Sequence, residues 1–120
     1  MTSNIVRFDA VRSIPIATII AGAGAYVPLG IPFAHAMRVI HFINDSNGVY
    51  MLSFDGFTDN VPILMGGFDL YDLTSDQDDN ESFRYQNGTQ LFVRYIVSPT
   101  VIATGSSNTL YAVAIYGKGE

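Results

Sequence analysis

Residues 36–55, AMRVIHFINDSNGVYMLSFD, constrain the fold more than any other stretch. An apolar run from Met37 to Ile43 and a second from Val49 to Phe54 flank the polar residues Asn44, Asp45, Ser46, Asn47 and Gly48. Asn-Gly tolerates the positive φ of a tight strand reversal, so the stretch predicts a β-hairpin. In its first strand Met37, Val39, His41 and Ile43 share one face, and Arg38, Ile40 and Phe42 share the other. Both faces are largely apolar. A half-solvated strand alternates more cleanly, so this one is expected to be covered on both sides or to lie at a subunit contact.

The rest of the chain reads as further short strands. Residues 4–11 alternate in part and suit an edge strand or an extended arm. Residues 16–20 are β-branched and predict a short buried strand, followed by a small-residue loop at 21–25. That loop lacks the Gly-Lys-Ser/Thr of a phosphate-binding loop and the third glycine and helix of a dinucleotide fingerprint. Residues 26–33 carry Pro28, Pro32 and Gly30, which fits an edge or crossover segment and not a central strand. Short strands are expected at 61–65, 68–73, 82–85, 90–97 and 109–116, with an acidic loop at 74–81, a tight turn at Asn87-Gly88 and a loop over 98–108. No segment shows helical periodicity over three turns. The expectation is an all-β chain with no substantial helix: one antiparallel β-sandwich, jelly-roll-like, of about eight strands. It spans 1–120 as one domain, with 1–35 an extended or edge segment used in assembly.

Charge narrows the function. The chain is 48% hydrophobic and 14% charged, against about 25% charged on average. A domain of this length cannot hide the difference in its core alone, so part of its surface is expected to be buried against other subunits. A net charge of −5 with six scattered Lys and Arg excludes phosphate-backbone binding. No cysteine occurs, hence no disulfide, thiolate nucleophile or Cys zinc site. The first residues lack the order of a signal peptide. Residues 13–37 hold no Asp, Glu, Lys or Arg, but Pro15, Pro28, Pro32, Gly22, Gly24 and Gly30 interrupt them, so a spanning helix is not expected.

Chemistry-bearing groups are few. His35 and His41 would stand ~20 Å apart on an extended segment and could not share one metal ion. Asp76, Asp78 and Asn80 fall at the spacing of the first three ligands of an EF-hand loop. Glu81 stands where that loop needs glycine, so these four residues are weak metal candidates, and a solvated acidic loop is preferred. Asp55 and Asp59 read as turn residues and not as a glycosidase pair. No cofactor site and no catalytic residue is expected.

The succession NDSNGVYMLSFDGFTDNVPIL, GTQLFVRYI and TLYAVAIYG, over residues 36–117, resembles small all-β virion structural proteins of tailed bacteriophages. The resemblance implies a non-enzymatic homo-oligomeric protein located in the virion. Its partners would be itself and other virion proteins: major capsid, connector or tail protein. It would have no nucleic-acid or membrane partner. The contact surface is expected at Ile14, Ile16, Ile19, Tyr26, Leu29, Ile31 and Phe33, together with the hairpin strands. The alternative is a glycan- or receptor-binding β-sandwich module, which would bring Tyr and Asp together on one face.

Overall fold

The computed structural model describes residues 6–64, 68–72, 87–102 and 105–117. Over these the chain forms nine strands and one short helix: β1 (Val6–Phe8), β2 (Arg12–Pro15), α1 (Ile16–Ala21), β3 (Val27–Pro28), β4 (Val39–Asp45), β5 (Val49–Ser53), β6 (Val61–Ile63), β7 (Phe68–Asp72), β8 (Phe92–Val97) and β9 (Thr109–Gly117). β1 and β2 share one sheet position, both pairing antiparallel with β9. Phe8 is registered with Ile115 and Arg12 with Ala112, so three residues of the edge oppose two of β9 and the edge bulges at 9–11.

Two antiparallel sheets result. One runs β1/β2–β9–β4–β7, the other β3–β8–β5–β6. Counting β1/β2 as one position, four of the six pairings are nested: the first position with the last, the second with the seventh, the third with the sixth, the fourth with the fifth. The inner faces enclose the core, with Ile14, Ile40, Phe42, Leu110, Ala112 and Ala114 from one sheet facing Tyr50, Leu52, Val61, Ile63 and Val93 from the other. The sandwich expectation holds. Pro28 sits as expected, in edge strand β3, and Pro62 lies in the other edge strand of that sheet, β6.

Two local expectations are corrected. Residues 44–48 do not close a hairpin, because β4 lies in one sheet and β5 in the other. Neither Asn47 nor Gly48 takes a positive φ. The chain turns a corner between layers, and buried polar groups hold it there. Asn44 Nδ2 donates to the carbonyls of Gly48 and Leu64, both at 2.9 Å, and the Ser46 hydroxyl donates to Asn44 Oδ1 at 2.7 Å. Gly48 is required by close approach, since a Cβ there would meet the Tyr50 hydroxyl at 2.7 Å and Pro99 at 2.9 Å.

The expected strand at 16–20 is a turn and a half of helix. Here the chain crosses from β2 in one sheet to β3 in the other. Pro15 enters extended at ψ 150°, and i, i+3 spacing drives Ile16 and Ile19 inward while Ala17, Thr18 and Ile20 face water. Burying two isoleucines gains about 1.5–3 kcal/mol each, which outweighs the slight helix penalty of β-branching. No helix among the described residues is long and apolar enough to cross a membrane.

Candidate functional site

The residues expected to form the contact surface divide sharply. Ile14, Ile16, Ile19, Leu29 and Phe33 are all buried within the chain itself. These five are corrected: the domain's own interior uses them, and they offer nothing to a neighbour. Ile31 is 67% exposed, and Tyr26 is partly exposed. From the same end of the chain, Phe8 and Val11 are 68% and 58% exposed.

The hairpin strands behave differently. The inner face of β4 meets β9 through Ile40 opposite Ala114 and Phe42 opposite Ala112, all buried. The outer face is also apolar. Val39 opposes Ile115, His41 opposes Val113 and Ile43 opposes Tyr111, and all six are half-buried on the flank turned away from the core. β4 and β9 are central in their sheet, so this is a row of side chains across its middle. An antiparallel sheet with one solvated face carries polar residues there. Here polar residues stand at the margins, Ser13 opposite Tyr111 and Asp45 opposite Thr109, and the middle of the row is apolar except for His41.

Arg12 was expected to be one of several scattered cations. It is instead 4% exposed and organises the amino-terminal edge. Its Nε donates to the Ile31 carbonyl at 2.8 Å and its Nη2 to the Pro32 carbonyl at 3.1 Å. Nη2 also pairs with Asp9 Oδ2 at 2.9 Å, and the guanidinium lies 4.9 Å from the Phe33 ring centroid. Gly30, at φ +72°, lies so close that a Cβ would stand 2.6 Å from Arg12 Cγ. Bulge and buried guanidinium together pin the edge strand to the segment over 30–33. Nothing in the sequence separated Arg12 from the other arginines, because its partners are backbone carbonyls far along the chain.

A second polar cluster lies on the four-stranded sheet. Tyr26 leads into β3, Arg94 sits in β8, and Asp59 lies between β5 and β6. The Tyr26 hydroxyl donates to Asp59 Oδ1. Arg94 grips the same carboxylate through Nη2 to Oδ2 at 2.8 Å and Nε to Oδ1 at 3.3 Å. The guanidinium also lies 5.5 Å from the Tyr26 ring centroid. Bonding from Arg94 holds Asp59 below the usual carboxylate range, while burial and the bond to Asp59 push Tyr26 up.

The adjoining loop is tightly braced. The Asp55 carboxylate accepts from the amides of Phe57 and Thr58, each at 2.8 Å, and from the hydroxyls of Thr58 and Ser53, both at 2.8 Å. Those bonds, the amide of Thr58 first, hold Asp55 far below its ordinary value. Asp55 thus takes the turn role expected of it, and the loop holds Phe57, two residues before Asp59, 88% exposed.

The imidazole of His35 stacks on Tyr116 at 3.9 Å, and His41 sits opposite Val113. Among the described residues no group of three His, Cys, Asp or Glu is placed to hold a metal ion. Asp76, Asp78, Asn80 and Glu81, the weak metal candidates, lie outside the described residues, as does the strand expected at 82–85. Comparison with protein-family models, curated proteins and solved structures gave no match to this chain.

Proposed function

We propose that this chain is a non-enzymatic structural protein of a virus particle, stabilising or joining capsid or tail components through contacts with copies of itself and with other virion proteins. The observation that carries the reading is the outer row of Val39, His41, Ile43, Tyr111, Val113 and Ile115 on central strands β4 and β9, which is apolar apart from His41. A flank of this kind is stable in water when a neighbour covers it. The exposed Phe8, Val11 and Ile31 at the amino-terminal edge supply further apolar contact.

Two other features support it. The nested pairing of the strands fits the jelly-roll form, an architecture shared by viral capsid domains, lectins and cupins. Fold alone does not decide among these, since function resides in surfaces grafted on a fold. The likeness of the strands over residues 44–64, 88–96 and 109–117 to phage virion proteins favours the first.

Size-exclusion chromatography with in-line light scattering tests the proposal. The expected mass exceeds the 13.1 kDa of one chain and rises with concentration. A dispersed species of 13.1 kDa at every concentration would count against assembly through this face.

A further inference from the structure

We infer that Phe57, with Tyr26, Asp59 and Arg94, forms a binding site for a neutral saccharide. The argument begins with what the loop over residues 53–60 accomplishes. Asp55 and Asn60 spend side-chain acceptors on the amides of Phe57, Thr58 and Phe54. The loop also rests on the sheet, with Gly56 placed so that a Cβ there would touch the Phe92 ring at 3.4 Å. This bracing orders the backbone that carries Phe57 and leaves its ring in solvent, where it contributes nothing to the core. A backbone already ordered beneath an exposed ring lowers the cost of ordering the loop when a ligand binds.

The neighbouring groups define the ligand. Two residues from Phe57, the Asp59 carboxylate is held by Tyr26 and Arg94, and its side chain remains 47% exposed, with that of Arg94 at 28%. A carboxylate offers about four lone-pair sites, so Asp59 retains capacity to accept from hydroxyls while the guanidinium can donate to them. An exposed ring carried two residues from fixed acceptors and donors suits a pyranose, which has C–H groups on its faces and hydroxyls at its rim. A purely apolar protein anchor would leave the charged pair uncovered or desolvated. The charge selects further. Arg94 is neutralised by Asp59 and the chain carries a net charge of −5, so the site favours neutral over anionic sugars.

The test is saturation-transfer NMR on the full chain with the methyl glycosides of glucose, galactose, mannose and N-acetylglucosamine, alongside an array of neutral, sialylated and sulfated oligosaccharides. Binding to at least one neutral glycan is expected. Phe57→Ala should weaken it at least tenfold with an unchanged urea midpoint, because the ring is solvent-exposed, and Asp59→Asn should weaken it as well. The inference is overturned if no neutral glycan binds, if sialylated or sulfated glycans bind best, or if Phe57→Ala binds like the parent chain. Light scattering reports self-association separately, so failure here leaves the assembly reading standing.

Discussion

Arg12 shows how much one side chain can decide. Its charge is desolvated, and it is matched by Asp9 and by backbone carbonyls on both sides of the crossing. Truncation would strand the Asp9 carboxylate and unpair those carbonyls. Arg12→Ala should therefore lower stability by about 3–5 kcal/mol, read as a shift of the urea midpoint with little change in slope. The acidic residues make a second residue-scale prediction. Asp45 is held below its ordinary value chiefly by the Ser107 hydroxyl, Asp55 by the amides of Thr58 and Phe57, and Asp59 by Arg94. Depressed carboxylates bind protons less readily in the folded chain than in the unfolded one. Their contribution is complete above the unfolded value near 3.8 and is lost as the pH falls below it. Urea midpoints should hold steady from pH 7 to about 5 and drop between pH 4 and 2. Asp55→Asn should make that drop shallower.

At the scale of elements, the sequence was legible where a residue's neighbours are local or its chemistry forbids alternatives. Apolar runs bounded by turns placed β4, β8 and β9, and the missing donor of Pro28 placed an edge segment. It was illegible where partners are distant. The Asn47-Gly48 signal reports that the chain changes direction, and nothing in it says which sheet receives the next strand. Asn44, whose amide bridges Gly48 to Leu64, settles that through a contact twenty residues away. The helix α1 was hidden in the same way, because residues 16–20 match a buried strand until the crossing from β2 to β3 demands a compact bridge. Ile19 closes that bridge in the core. Ile19→Ala should cost about 2–5 kcal/mol by thermal or urea unfolding, whereas Thr18→Ala, on the exposed side, should stay within about 0.5 kcal/mol. The candidate contact residues failed as a group for a related reason. Hydrophobicity marks a side chain for burial, and only the fold determines whether its own domain or another does the burying.

For the whole molecule, the low charge content has two separate outlets. Part of the apolar amino-terminal segment is consumed by the core between the sheets, through Ile14, Ile16, Ile19, Leu29 and Phe33. The remainder lies at the edge carrying Phe8, Val11 and Ile31 and on the outer row across β4 and β9. That row is the surface the assembly proposal depends on. Val113 lies at its centre, half-buried on the outer flank, where a long charged side chain can reach water from the folded domain but not beneath a neighbour. Sedimentation velocity on the parent chain and on Val113→Lys, at matched concentrations and with circular dichroism confirming an unchanged fold, tests this most directly. The account predicts a concentration-dependent larger species for the parent chain and a 13.1 kDa monomer for the variant. Identical sedimentation of the two, whether both associate or both stay monomeric, would contradict it.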